Sequence, residues 1–480
     1  MSDIMKKFLS RYSKLSLTFL CIDILLILFL VYKLIRLDIL PFKYLIIVII
    51  VLLVLLGLIM LFTQKRSKKA FKVIGVILTI ITVSVSTVGA YYTSTIVDFL
   101  GKAFKEGKDT YTSTYYVLTK QDTFNDINEL NDKTIGYFEL VPNINDALNK
   151  LKETVSFTEQ KYDNVFSTFN DVNNKKIEAT YIEKNLYESL LESVKDLKEA
   201  NYKVLYSVDI EVENEVSKKE VNGDYVNIYL GGTDFANNFD FNMVITINKK
   251  THKILLTSIP RDFYVYVPKL GMRDLLGYAG GVNNSIGVME NLFSVDVNYF
   301  LKVNTHSIIG LVDTLGGLEF CSNKSFTTTH ALITDTYDDT KGPKLHVKEG
   351  CHTYKGIEIL TISRERLAYP DGDRQRQKNC QAIMISLFKK MASLNSLTNF
   401  SNVLGKVSEL YSTNIPQDLV TEIAKSAIDG NNWTFDQQSV TGSDSSDYVH
   451  LGSVKDYVMR PNQDSVSNAS AKMKSVMYES

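Results

Sequence analysis

The chain is poor in cysteine, with four in 480 residues, and no spacing of cysteine or histidine in it is one that holds zinc. Charge of one sign is also lacking. The formal net charge is −1, with charged residues at 22% and hydrophobic ones at 45%. Basic residues do not gather into a long stripe or tail, which excludes an extended nucleic-acid-binding surface. No small-residue cleavage site follows a single short apolar core, so a removed signal peptide is not expected. Cys21 lies in an apolar run, and the other three cysteines cannot all pair with one another. Cys321 and Cys351 each lie near strand-like segments and could form a disulfide if those strands are neighbours.

Long apolar runs are abundant at one end. Leu15 to Tyr32, Tyr44 to Phe62 and Val73 to about Val97 are each near the length a helix needs to cross a bilayer. Spans of about 15–35, 44–63 and 73–98 follow, the third diluted by Thr79, Thr82, Ser84, Ser86 and Thr87. Lys6, Lys7, Arg11 and Lys14 precede the first span, and Lys65, Arg66, Lys68, Lys69 and Lys72 separate the second from the third. The loop between the first two carries only Lys33, Arg36 and Lys43. The positive-inside rule therefore puts the N-terminus in the cytoplasm and everything after about residue 98 outside the cell. Asp23 sits mid-span, where packing against the neighbouring spans is the expectation and a functional role the alternative.

The composition changes along the remainder. Residues 1–99 form the membrane region, and 100–220 read as a small α/β accessory domain. Helices are expected there at Ile144 to Glu153 and Tyr181 to Asn201, and strands at Thr134 to Val141 and Tyr202 to Val212. Residues 221–480 alternate strands with helices, which implies a layered α/β domain. Strands are expected at Val226 to Leu230, Asn242 to Ile247 and Lys253 to Pro260. The turn-forming Asn248 to His252 makes the latter two a hairpin. Further on, Val282 to Phe293 and Ser307 to Leu315 read as helices, the second stopped by Gly316-Gly317, with strands at Tyr299 to Val303 and Leu318 to Cys321. A helix is expected from Asn379 to Leu394. The tail from Thr434 reads as irregular until a last helix near Asn468 to Met477.

The most informative run is TISRERLAYPDGDRQRQKNCQ, Thr361 to Gln381. If Leu360 to Arg366 is extended, Arg364 and Arg366 share one face and Glu365 takes the other. Two guanidiniums about 6 Å apart repel by roughly 3 kcal/mol at an effective dielectric near 20, so a fold that gathers several needs anions nearby. The acids of the run (Glu365, Asp371, Asp373) are fewer than its basic residues, Arg364, Arg366, Arg374, Arg376 and Lys378. Phosphate or pyrophosphate is a natural filler, with a solvated, salt-bridged surface turn as the plain alternative. Arg374 and Arg376 fall near a helix start, where free N–H groups and the helix dipole favour anions. Asp234, after Gly231-Gly232, and Asp240 can meet at one sheet edge, a pairing suited to Mg²⁺. Ser258-Ile259-Pro260-Arg261-Asp262 places another arginine and acid at a strand end.

Together, GGTDF (231–235), LTSIPRDFYVYVP (256–268), LVDTLGGLEF (311–320) and ISRERLAYPDGDRQR (362–376) resemble the LytR–CpsA–Psr family of cell-envelope proteins. The three spans and accessory domain further resemble its capsule-associated branch. The resemblance implies an α/β domain with a central sheet flanked by helices and a hydrophobic tunnel for a polyprenyl tail. It implies a phosphotransferase moving a glycan from a polyprenyl-pyrophosphate carrier onto peptidoglycan with Mg²⁺ (or Mn²⁺). Capsule assembly proteins are conceivable partners, and nucleic acid is not one. Carried over residue by residue, Asp234 and Asp240 match the metal-binding acids. Arg261, Arg364, Arg366 and Arg376 match the pyrophosphate-binding arginines, with Asp373 in support; Arg374 and Gln381 join the candidate phosphate-binding set. Asp234 and Asp262 are both candidates to take the acceptor hydroxyl's proton. The chain departs from the family pattern at Asn238-Phe239, Cys380 and Leu275, where an arginine, a glutamine and a lysine are usual. The rival expectation is a membrane regulator that binds lipid-linked glycan without efficient turnover.

Overall fold

The computed structural model describes the chain apart from residues 1–9, 104–108, 195–196, 215, 217–218, 220, 222, 234–237, 269, 305–306, 333–341, 393–410 and 480. It opens with three helices, α1 (Lys14–Leu37), α2 (Phe42–Phe62) and α3 (Lys69–Ala103). All three are long and apolar enough to cross a membrane. α1 and α3 run parallel. The α1 start is tied to the α2–α3 loop, where the Lys65 N–H donates to the Arg11 carbonyl at 2.9 Å. Gly89 of α3 lies against Leu30 of α1. One heptad back on each helix, Asp23 and Thr82 come level. Asp23 is fully buried, and neither carboxylate oxygen has a hydrogen-bond partner among the described residues. The loop joining α1 to α2 meets the far end of the chain: Lys425 pairs with Asp38 and Lys43 with Asp429, each at 2.7 Å.

A five-stranded sheet follows, built from β1 (Asp109–Lys120), β2 (Lys133–Phe138), β3 (Phe157–Tyr162), β4 (Ala179–Glu183) and β5 (Tyr202–Asn214) in the order β3-β2-β4-β1-β5. Helices α4 (Ile144–Lys152), α5 (Val165–Asn173) and α6 (Lys184–Ser193) pack on it. The helix expected from Tyr181 to Asn201 is instead the end of β4 followed by α6. Ala179 to Ile182 are buried, as befits a central strand.

The second sheet carries the site. Its strands are β6 (Tyr225–Thr233), β7 (Phe239–Asn248), β8 (Lys253–Ile259), β11 (Tyr299–Asn304), β16 (Tyr411–Thr413) and β17 (Thr434–Ser439), with β9 (Tyr264–Val267) and β10 (Met272–Leu275) forming a separate hairpin. The order is β16-β11-β6-β7-β8-β17. β6, β7 and β8 form an antiparallel meander, and β11 and β17 are added parallel at either side. Alternation assigns the two faces. Val226, Ile228, Leu230, Met243, Ile245 and Leu256 fill one core, while Tyr229, Val244 and Leu255 fill the other. Helix α7 (Val282–Phe293) and the C-terminal helix α12 (Gln463–Met477) cover the second face. The first is covered by α10 (Asp373–Ala392) and α11 (Gln417–Ile428). Burying each such side chain contributes about 1.5–3 kcal/mol. Gly231 is required where it stands, because a Cβ there would lie 2.5 Å from the Phe239 ring.

A smaller layer holds α8 (Ser307–Thr314) and α9 (Gly356–Arg364) with two hairpin-like pairs. In these, β12 (Leu318–Ser322) pairs with β15 (Gly350–Tyr354), and β13 (Phe326–Ala331) with β14 (Lys344–Val347). Gly316 and Gly317 take positive φ after α8, turning the chain into β12. The tail is not irregular: β17 is followed by the hairpin β18 (Gly442–Val449) and β19 (Val454–Pro461), and α12 begins earlier than expected.

Cys321 and Cys351 sit directly opposite each other on β12 and β15 and are disulfide-bonded. Closing a loop of 30 residues removes chain entropy from the unfolded state, worth about 3–4 kcal/mol. Cys321→Ser should lower the thermal unfolding temperature of the detergent-solubilised protein. Reductant should lower that of the wild type to the same value and leave the variant unmoved.

Candidate functional site

The site forms where the start of β7, the end of β8 and the start of α10 converge. Asp240 opens β7, and Arg261 and Asp262 follow β8 after Pro260. The Arg261 guanidinium hydrogen-bonds Asp240 Oδ1 through Nη1, and its Nε lies 3.3 Å from Asp262 Oδ1. Burial alone would lower the Arg261 pKa, but the facing carboxylates of Asp240 and Asp262 outweigh it and hold the group charged. From the other side, Arg376 of α10 donates through Nη1 to the backbone carbonyl of Asp240 at 2.9 Å. One residue, Asp240, thus fixes two buried or half-buried guanidiniums, through its carboxylate and its carbonyl.

The structure corrects the reading of the arginine run. Leu360 to Arg364 is not extended; it is the last part of α9, and Glu365 caps that helix. The Lys355 N–H donates to Glu358 Oε2 at 2.7 Å, which starts α9, and Ile359, Leu360 and Ile362 are buried at helical spacing. Arg364 is exposed on its last turn and Arg366 is half-buried just beyond. The end of α9 packs against α10, where Cys380 Sγ lies 3.4 Å from the Ser363 carbonyl. Helix α10 starts at Asp373, earlier than expected, so Arg374 and Arg376 lie inside its first turn. At about 100° per residue they point to nearly opposite sides of the helix. Arg376 faces β7, whereas Arg374 is exposed and turned toward the Gly442 carbonyl at 3.4 Å. The N–H groups of Arg374, Gln375 and Arg376 are not free for an anion, since they donate to the Asp371 and Gly372 carbonyls. Gln381 is buried and donates to the Gln438 carbonyl at 2.6 Å, clamping α10 to β17. Asp234 and the Asp373 side chain lie outside the described residues.

Glu365 is the residue that sequence reasoning misplaced. It was counted among the acids of the run and, on an extended reading, placed on the face opposite Arg364 and Arg366; it is fully buried after the end of a helix. It accepts from the Thr329 N–H at 2.6 Å, the Thr329 hydroxyl at 2.9 Å and the Ala368 N–H at 2.8 Å. These bonds fix the chain that carries Arg366 into place. Asp371 pairs with Lys378 at 3.7 Å. Two of the run's three acids are therefore engaged elsewhere, and the acids beside Arg261 and Arg376 come from the β7 and β8 ends. No sequence signal distinguished Glu365, because the Thr329 groups that bind it lie 36 residues away along the chain.

On the α10 side of the sheet, Phe241, Met384, Ile385 and Phe388 are only half-buried, leaving an apolar surface that begins beside Arg376 and continues along the helix. Glu319, Cys321 and Cys351 also cluster. Their two sulfurs are bonded to each other and supply no thiolate to a metal.

Fold and site define a class: an α/β protein with three apolar helices at its N-terminus, whose sheet edge gathers guanidiniums and carboxylates beside an apolar helix face. The chain belongs to the LytR_cpsA_psr family, whose model matches residues 180–475, from within β4 to the end of α12. Among its relatives is the polyisoprenyl-teichoic acid–peptidoglycan teichoic acid transferase TagU of Bacillus anthracis. It is 31% identical over 217 residues, covering 44% of this chain and 67% of that protein. The Enterococcus faecalis protein of the same name is 30% identical over 188 residues, 38% of this chain and 57% of its own. Among solved structures, that of B. subtilis TagU is 26% identical and covers 54% of this chain and 99% of that one, with a TM-score of 0.42.

The Glu365 carboxyl has its pKa lowered: burial would raise it, but the hydrogen bonds from Ala368 and Thr329 prevail. A lowered folded-state pKa gives stability that is present above the ordinary value of 4.5 and lost as pH falls through the folded value. Glu365→Ala leaves two buried N–H donors unmet and should cost about 2–4 kcal/mol in denaturant unfolding at pH 7. The gap to the wild type should narrow as the pH is taken below 4.5.

Proposed function

We propose that this protein transfers a cell-wall glycan from a polyprenyl-pyrophosphate carrier to peptidoglycan on the outer face of the membrane, a capsular glycan being the substrate class that the sequence resemblance favours. The observation that carries this reading is Asp240 gripped by Arg261 and Arg376 at the sheet edge, next to the half-buried apolar face of α10. Guanidiniums suit the two phosphates, and the apolar face suits the isoprenyl chain. Asp240, and Asp234 if it turns to the same edge, are all-oxygen donors of the kind a hard divalent cation takes. Arg261 uses one Asp240 oxygen and leaves the other as a ligand for Mg²⁺. Bound there, the ion would supply charge neutralisation on the pyrophosphate.

In the reaction, an acceptor hydroxyl oxygen forms a bond to the glycan-bearing phosphorus, and the bridging P–O bond to the lipid phosphate breaks. Polyprenyl monophosphate leaves, and the hydroxyl proton passes to a base for which Asp262 and Asp234 are the candidates. The residues of this chain bind, orient and neutralise, as phosphoryl transfer requires. The outward orientation is supported by the charges flanking the spans and by the Cys321–Cys351 disulfide, which fits an oxidising compartment. It is also supported by the ion pairs that put the α1–α2 loop and α11 on one side.

Detergent-solubilised protein given an isoprenyl-diphosphate glycan and peptidoglycan should release isoprenyl monophosphate in a Mg²⁺-dependent manner. Arg366→Ala should weaken diphosphate binding by on the order of 1.5–3 kcal/mol through loss of a charge-assisted contact. Binding with no release under any divalent cation would leave a glycan-binding membrane regulator. Undiminished binding by both Arg261→Ala and Arg366→Ala would show the arginines to be a surface ion-pair patch.

A further inference from the structure

Behind the arginine site lies a cavity of about 110 Å³ at the junction of the two sheets. One wall belongs to the second sheet's domain. Asn238, two residues before Asp240, lines it, as does Gly277, whose N–H donates to the Arg261 carbonyl at 2.8 Å. The opposite wall belongs to the first sheet: Ser113 of β1, and Glu183 and Asn185 at the start of α6. Glu183 Oε1 accepts from Asn185 at 3.0 Å and from Ser113 at 3.4 Å, and Oε2 from the Leu186 N–H at 3.3 Å, while burial raises the pKa of this carboxyl group to about 7.

The third component is the tip of the β18–β19 hairpin. His450 lines the cavity and is 6% exposed, with its ring edge-on to Tyr278 at 4.5 Å. The tip is held through its backbone. His450 and Leu451 both adopt positive φ, at 52° and 59°. Their N–H groups donate to the buried carboxylate of Asp274, at 3.0 and 2.8 Å. Burial pushes the imidazole pKa down to about 4, so at neutral pH the ring offers one donor and one acceptor. Val454, just past the tip, is part of the first sheet's own core, which locks the two domains across the cavity.

We propose that this cavity is a subsite for one sugar residue of the glycan being transferred or of the wall that receives it, built jointly by the accessory domain and the hairpin tip. The chemistry is that of a polyol: the Glu183 carboxyl group for vicinal hydroxyls, a neutral imidazole for a third, amides for an N-acetyl group, and the Tyr278 ring for an apolar sugar face. It assigns the accessory domain a part in selecting the glycan. The inference rests on the transferase reading for the identity of the neighbouring ligand.

The test is calorimetric titration of the full-length protein in detergent with geranyl diphosphate, geranyl-diphospho-N-acetylglucosamine and a free muramyl disaccharide. The variants are Glu183→Ala and His450→Asn, asparagine being chosen because it tolerates positive φ, and the folding of each is checked by thermal unfolding. The expected result is that either variant loses about tenfold in affinity for the sugar-bearing diphosphate and nothing for bare geranyl diphosphate. Loss confined to the muramyl disaccharide also supports the subsite and assigns it to the acceptor. Wild-type affinity of both variants for all three probes overturns the proposal, and so does an equal loss for bare geranyl diphosphate. A wild-type protein that does not bind geranyl diphosphate counts against the transferase reading instead, and the free disaccharide then reads the cavity by itself.

Discussion

The site depends on one residue serving two masters. Asp240 opens the central strand of the meander, and its carboxylate neutralises Arg261 while its carbonyl receives Arg376 from a helix on one face of the sheet. Like charges so close would drive the elements apart without it. Around it the fold is arranged to hold the start of β7 still. Gly231 lets Phe239 lie flat against β6, and Asn242 ties the Tyr229 hydroxyl at 2.7 Å. Two apolar layers then press on the sheet from either side.

The arginine run works through a division of labour that composition does not reveal. Glu365 and Asp371 lie among the arginines in sequence, yet one is a buried anchor for a loop and the other pairs with a lysine. Arg374 and Arg376, two residues apart, are sent to different sides by the turn of a helix. What counts as a cluster along the chain is therefore smaller in space, and sharper, than the raw count of charges implies.

How much was legible follows from how each segment is buried. The apolar spans and the β6–β8 meander were readable because their hydrophobic period is uninterrupted and their turn is polar. The disulfide was open to sequence reading only as far as both cysteines lay in strand-like segments. Leu360 to Arg366 was misread because a short run of mixed residues fits a strand as well as a helix, and the Glu358 cap at its start decides between them. β17 escaped notice because TFDQQS is a polar edge strand whose pairing with β8 is a backbone matter. Tyr181 to Asn201 hides a central strand in front of a helix, where residues buried on both sides mimic a helical stripe. The polar groups that meet at the domain junction come from segments about 110, 180, 240, 275 and 450 residues along the chain. Only folding brings them together, so no local pattern announces them.

The ion pairs joining the α1–α2 loop to α11 are individually weak, as exposed pairs are. Their placement is what matters. They join the folded body to the apolar helices at a second place besides the end of α3. On the proposed transferase reading, a second tether of this kind would keep the site level with a carrier confined to one leaflet, so that their encounter is a search in two dimensions.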